Sequence, residues 1–250
     1  MNLRRLFPLV LPVLVGACLL LALPGARCDE KGQASTPPPK GAVVLFNGKD
    51  LSGWVTRAGK PAMWKVENGY VEIVSGKGDI MTEKKFGPDF KLHVEFWLPL
   101  MPEAKGQGRA NSGVYLQGRY EIQVLDSYKN DTYANGSVGA LYGIIAPDKE
   151  AQQKAIRPPE QWQTYDITFH APRVDDQGKV TEKGRLTVVL NGVTIIDNGR
   201  FDRATGGALD PKLGTPGPIL LQDHHNKKGA ANVRYRNIWL QPLSRRAAAE

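Results

Sequence analysis

Apolar and polar residues alternate with period two along Asn111-Ser-Gly-Val-Tyr-Leu-Gln-Gly-Arg-Tyr-Glu-Ile-Gln-Val-Leu-Asp126. One face of such a run packs a core and the other looks outward. Short alternating runs of the same kind recur between turn signals. They predict strands at Val43–Phe46, Trp64–Glu67, Tyr70–Val74, Ile80–Thr82, Phe90–Leu98, Ser112–Gln117 and Glu121–Leu125. Further strands are expected at Thr164–His170, Arg185–Leu190, Val193–Asp197, Ile219–Gln222 and Val233–Pro242. Asn68-Gly69 and Asn191-Gly192 are two-residue hairpin signals, because both positions of such a turn need positive φ. Helical signals are few; Pro147 to Gln153 predicts one turn or two. Many short strands and almost no helix predict an all-β, two-sheet sandwich or jelly roll. The stretch Lys129 to Pro159 breaks the rhythm. It reads equally as a site loop and as a passive crossover.

The outward faces carry unusual chemistry. Tyr115, Gln117, Glu121 and Gln123 project together, with Asp126 just beyond. Aromatic, amide and carboxylate groups side by side suit a sugar. Asp126 joins that face only if a bulge shifts the register by one residue. The E-x-Q-x-x-D pattern is similar to the E-x-D-x-x-E strand of laminarinase-type glucanases. Gln123 replaces its middle acid, however, so a nucleophile-and-acid pair of carboxylates is not expected. In Phe90-Lys-Leu-His-Val-Glu-Phe-Trp-Leu98, the residues His93, Glu95 and Trp97 share the face opposite Leu92, Val94, Phe96 and Leu98. If the leucine face is core, Glu95 is expected on the same outward face as Glu121. The run Gly217 to Asn226 ends an apolar strand in Gln222, Asp223, His224 and His225, and His224 is a candidate base. Asp223 beside His224 is also compatible with a cation. No Gly-x-Ser-x-Gly elbow, phosphate loop or zinc helix occurs.

Composition narrows the setting. The 250 residues carry 41% hydrophobic residues, enough for one sizeable core, and 27 Gly with 18 Pro, which implies frequent turns. Arg4-Arg5, the apolar run Leu6 to Leu23 and Ala26-Arg-Cys28 read as an export signal over residues 1–28. Lipidation at Cys18 and a retained anchor are the alternatives. Residues 29–40, ending in Pro37-Pro-Pro39, read as a linker, 41–243 as the domain and 244–250 as a tail. Both cysteines lie in the leader, so a chain cleaved after Cys28 has neither disulfide nor thiol nucleophile. The formal charge of +8 falls to +5 once the three leader arginines are set aside. The remaining positive residues are scattered and form no stripe interleaved with aromatics, which argues against a nucleic-acid partner. The mature form is expected to be periplasmic or extracellular, without a stable membrane span.

Several motifs occur in a fixed order: Val44-Leu-Phe-Asn-Gly-Lys-Asp-Leu-Ser-Gly-Trp54, Asn111-Ser-Gly-Val-Tyr-Leu-Gln-Gly118, Tyr120-Glu-Ile-Gln-Val-Leu-Asp-Ser127 and Trp162-Gln-Thr-Tyr-Asp166. Leu190-Asn-Gly-Val193, Leu221-Gln-Asp-His224 and Val233-Arg-Tyr-Arg-Asn-Ile238 follow. Together they resemble the 3-keto-disaccharide hydrolase family over about Val43 to Leu243. His225 departs from the pattern, which often has Gly there. The resemblance implies a concanavalin-like jelly roll acting on glycosides oxidised to a ketone at carbon 3. Such a substrate is open to base-catalysed elimination from carbons 2 and 1, followed by hydration. On this reading Glu121 or His224 is the base, and Glu95 or Asp126 serves as acid or ion ligand. Arg109, Asn111, Gln123 and Gln222, with Gln117 and Asp223, would hold sugar hydroxyls or the enediolate. Tyr115, Tyr142 and Trp97 would stack on the ring. No cofactor follows from the resemblance, and a divalent metal is left open. The competing expectation is a lectin-like module that binds carbohydrate without cleaving it.

Overall fold

A computed structural model of the chain describes residues 35–224 and 232–244. The expected leader, His225, half of the linker and most of the tail lie outside the described residues. In chain order the elements are β1 (Val43–Phe46), β2 (Trp54–Thr56), β3 (Lys65–Glu67), β4 (Tyr70–Glu72), β5 (Ile80–Thr82), β6 (Asp89–Trp97), β7 (Asn111–Leu116) and β8 (Tyr120–Leu125). There follow α1 (Lys149–Ala155), β9 (Trp162–His170), β10 (Arg173–Val174), β11 (Val180–Glu182), β12 (Gly184–Leu190), β13 (Val193–Phe201), β14 (Leu220–Leu221) and β15 (Arg234–Pro242).

The strands form the all-β, two-sheet sandwich that the alternation predicts. The larger sheet has the order β13-β12-β9-β6-β15-β4-β3, with β1 also paired to β15. The smaller has the order β2-β5-β14-β7-β8. The core lies between them. Leu92, Val94, Phe96, Tyr165, Ile167 and Val188 from the larger sheet share one apolar cluster with Val114, Leu116, Tyr120, Ile122 and Leu221 from the smaller. Two phenols cross this core. Tyr165 donates to the backbone carbonyl of Gln123 at 2.6 Å, and Tyr235 donates to Oγ of Ser112 at 2.7 Å. Each bond satisfies a phenol hydroxyl that burial would otherwise strand.

Both predicted hairpins form. Asn68 and Gly69 have φ of 47° and 81°, and Asn191 and Gly192 have 49° and 85°, the doubly left-handed pattern that matches strand twist. The helix starts at Lys149, two residues later than predicted. Asp148 is its N-cap and accepts from the Ala151 amide at 2.8 Å, which fixes the start. Strands β2, β10 and β11 were not predicted; at two or three residues they are too short to show a period. Among the described residues no helix is long and apolar enough to cross a membrane.

Candidate active site

The outer face of the smaller sheet carries a cavity of about 250 Å³. That is just under the usual range for ligand pockets, about 300–1,000 Å³, and on the scale of one sugar ring. Strand alternation builds its floor. Ser112, Val114 and Leu116 of β7 turn inward, and so do Tyr120, Ile122 and Val124 of β8, which leaves Asn111, Tyr115, Glu121 and Gln123 outside. Just past β14, Gln222 and His224 also line the cavity, with Asp223 between them turned away. Tyr142 comes from the long loop after β8, and Gly206 and Gly207 from the loop after β13.

Glu121 is the centre of this floor. It is paired directly across β7 and β8 with Tyr115, whose hydroxyl lies 2.8 Å from its Oε2. The same hydroxyl is 3.1 Å from the Gly206 carbonyl and accepts from Gln222 Nε2 at 3.3 Å. The Glu121 carboxylate lies across Gly113. A Cβ at position 113 would stand 2.6 Å from Oε1 and 2.9 Å from Cγ, so only glycine leaves room for it there. The Glu121 amide donates to Oγ1 of Thr205 at 2.9 Å. Burial, with the nearby Asp79 charge, pushes the Glu121 carboxyl up to about 7 against the pull of the Tyr115 hydrogen bond. Burial and the Glu121 charge push the Tyr115 phenol well above its ordinary value, so it stays protonated and keeps donating.

Amides and phenols surround this acid. Gln107 accepts at Oε1 from Asn111 Nδ2 (3.3 Å) and Gln123 Nε2 (3.1 Å). At the cavity wall the hydroxyls of Tyr133 and Tyr142 are 2.5 Å apart. Burial and the hydrogen bond to Tyr142 push the Tyr133 phenol up to about 12. Asp79 accepts from the Asp223 amide at 2.8 Å and pairs with Arg57 at 2.6 Å.

The predicted site residues therefore divide. Asn111, Tyr115, Glu121, Gln123, Tyr142, Gln222 and His224 line one cavity. The others do not, and each has a physical reason. Glu95 was expected on the face of Glu121, but β6 belongs to the other sheet. A sandwich has two outward faces, and alternation cannot tell them apart. Glu95 is 1% exposed, pairs with Arg236 at 2.6 Å and accepts from Asn237 at 2.8 Å. Trp97, on the same face, lies under the Arg234 guanidinium at 4.4 Å. Gln117 is the first residue past β7 and has φ 52°. Alternation stops there, and its side chain is buried, donating to the Phe86 carbonyl at 3.0 Å. No register shift occurs between β7 and β8, so the bulge that would bring Asp126 onto the cavity face is absent. Asp126 instead pairs with Arg109 at 3.3 Å and accepts from the Tyr128 amide. Arg109 is further held by the carbonyls of Ala104 and Tyr128. Asp223 accepts from the amides of Gly76 and Gly78.

The sequence reading missed Gln107, Gly206 and Gly207, which line the cavity, and Gly113 and Tyr133, which back Glu121 and Tyr142. An isolated glycine inside an alternating strand, as at Gly113, does signal a close approach; loop residues such as Gln107 and Tyr133 carry no such signal. Among the described residues no three His, Cys, Asp or Glu side chains gather to hold a metal ion.

Residues 41–241 match the model of a family described as the 3-keto-alpha-glucoside-1,2-lyase-like domain. A crystal structure of a candidate glycosyl hydrolase from Parabacteroides distasonis ATCC 8503 is 35% identical, with a TM-score of 0.75 over 96% of this chain and 94% of that one. A second candidate glycosyl hydrolase from the same organism is 22% identical, with a TM-score of 0.55 over 81% of this chain and 99% of that one, and shows likeness of fold. No curated protein matches.

Proposed function

Because the chain belongs to the 3-keto-alpha-glucoside-1,2-lyase-like family, we propose that it cleaves glycosides carrying a ketone at carbon 3, by elimination across carbons 2 and 1. Carbohydrate chemistry in general is supported by the family and by the relative at 35% identity. The finer reading rests on one observation: Glu121 is a single buried carboxyl held near 7 among neutral amides and phenols. A double-displacement or inverting glycosidase needs a second carboxyl in the same cavity, and among the described lining residues Glu121 has no such partner. An elimination needs only one base.

A ketone at carbon 3 acidifies the hydrogen on carbon 2. The Glu121 carboxylate removes that proton, and its electron pair forms the enediolate between carbons 2 and 3. The Tyr142 phenol donates to the enediolate oxygen, which lowers the cost of the developing charge. The enediolate then reforms the ketone, a double bond forms between carbons 1 and 2, and the carbon 1–oxygen bond breaks. The departing aglycone takes a proton from His224 at the cavity mouth or from the newly protonated Glu121. Water adds across the new double bond to give the free 3-keto sugar. Acid–base groups placed in this way contribute roughly 10²- to 10⁴-fold each. The reading places the reaction outside the cytoplasm, which the Arg4-Arg5 start and apolar leader support.

The test is aglycone release from a 3-keto-α-glucoside and from its unoxidised parent, using residues 29–250 with and without Glu121→Gln. Turnover of the keto compound alone, lost in the variant, is the expected result. Turnover of the parent, or undiminished turnover by the variant, overturns the scheme. Binding of the parent without turnover of either compound favours the lectin-like reading.

A further inference from the structure

Backbone carbonyls orient Gln107, Asn111 and Gln123, and Gln222 Nε2 donates to the Tyr115 hydroxyl. Gln107 Nε2 donates to the Gly136 carbonyl at 2.8 Å and to Thr132 Oγ1 at 2.7 Å. A backbone carbonyl only accepts, so this end of Gln107 must be its NH₂. Its Oε1 then faces Asn111 and Gln123, and both must point their own NH₂ groups at it. Backbone carbonyls reinforce both orientations: Asn111 Nδ2 donates to Gln107 O at 3.1 Å, and Gln123 Nε2 to Gly136 O at 3.3 Å. The amide oxygens are what remain. Asn111 Oδ1, Gln123 Oε1 and Gln222 Oε1 are buried and have no hydrogen-bond partner. Asn111 and Gln123 are each 1% exposed, and all three residues line the cavity that holds Glu121.

Leaving a buried carbonyl without a donor is costly. Three around one cavity call for a ligand that brings hydrogen-bond donors. We propose that the amide oxygens of Asn111, Gln123 and Gln222 form an acceptor wall that reads the unoxidised hydroxyls of the sugar, with Gln107 as the positioning residue that sets the polarity of Asn111 and Gln123. This inference rests on the carbohydrate reading of the site and adds its selectivity. A ketone oxygen has no hydrogen to give, so the wall rejects a ring turned with its ketone toward it. The ketone is directed instead to the Tyr133–Tyr142 pair. When one phenol donates to the other, the acceptor phenol keeps its own hydrogen for a third oxygen. The wall thereby selects both the site of oxidation and the pose that presents carbon 2 to Glu121.

Calorimetric binding of an unoxidised α-glucoside, set beside its monodeoxy and monodeoxyfluoro analogues, tests the wall without any turnover. Fluorine cannot donate a hydrogen bond. At the ring positions the wall reads, the deoxy and deoxyfluoro analogues should both bind about 10- to 100-fold more weakly than the parent. Gln123→Met should abolish that difference at one position and leave the others. Should Gln123→Met fail to fold, Gln222→Met past the end of β14 gives the same readout. Gln107→Leu should blur discrimination at the positions read by Asn111 and Gln123 together. Recovery of parent affinity by the deoxyfluoro compounds overturns the proposal, since the hydroxyl would then be read as an acceptor. Equal affinity of all analogues, or no binding of the parent, overturns it too. Absence of keto-glucoside turnover by the unsubstituted protein, with intact hydroxyl discrimination, would sink the elimination reading and leave the wall standing.

Discussion

Tyr115 donates to Glu121 from the directly opposing position of the next strand, with 2.8 Å between its hydroxyl and Oε2. The bond favours the ionised carboxylate and so opposes the burial that raises the Glu121 pKa. Tyr115→Phe removes this pull without changing the ring. The acid limb of the kcat/KM profile should therefore move to higher pH, and activity at neutral pH should fall. A pH–rate profile of the variant checks this; a limb that stays in place or moves to lower pH contradicts the assignment.

The wild-type profile follows from the same group. A base must be deprotonated in the free enzyme, so kcat/KM should fall tenfold per pH unit below about 7. A carboxyl whose folded pKa is raised from 4.5 to about 7 stabilises the fold fully below pH 4.5. That stability is lost as pH rises through 7. The loss is on the order of 3 kcal/mol. Glu121→Gln should thus unfold at a higher denaturant concentration than wild type at pH 8, with the gain shrinking toward pH 4.5. Denaturation curves at the two pH values read it directly.

Gly113 gives Glu121 the space it occupies. In Gly113→Ala the new methyl would stand 2.6 Å from Oε1, so the carboxylate must move aside. A misplacement of about 1 Å costs roughly 10²-fold in rate. Turnover should fall by about that factor while the far-ultraviolet circular dichroism spectrum stays that of wild type.

Glu95 separates structural from chemical burial. Glu95→Ala removes the buried carboxylate that pairs with Arg236, itself only 12% exposed, on the far sheet. Breaking such a buried pair costs about 3–5 kcal/mol. The variant should melt earlier, yet turnover per folded molecule should equal wild type. A specific loss of turnover would restore Glu95 to the chemistry.

Much of the fold was legible because alternation is a local property. The β7–β8 pair needs only its own residues to show that Tyr115, Glu121 and Gln123 share a face, and Asn-Gly at 68–69 and 191–192 marks its turns by backbone sterics alone. What sequence cannot carry is the partner of a strand. His93, Glu95 and Trp97 alternate as cleanly as the site strands, but β6 pairs with β9 and β15 and turns them to the opposite side of the molecule. Gln117 shows the other limit, since one left-handed residue ends the alternation that placed it. Gln107 and Tyr133 reach the site from loops, where no period exists to read.

The two phenols that cross the core have a consequence for how such a protein can diversify. Tyr165 fastens β8 at Gln123, and Tyr235 fastens β7 at Ser112, so the strand pair bearing Glu121 is tied to the opposite sheet from beneath. A substitution that shifted the backbone beneath the base would therefore have to disturb both sheets. Tyr133 and Gly206, by contrast, stand exposed at the rim. Substitutions at such rim positions can therefore reshape what the cavity admits while the bed beneath stays unchanged.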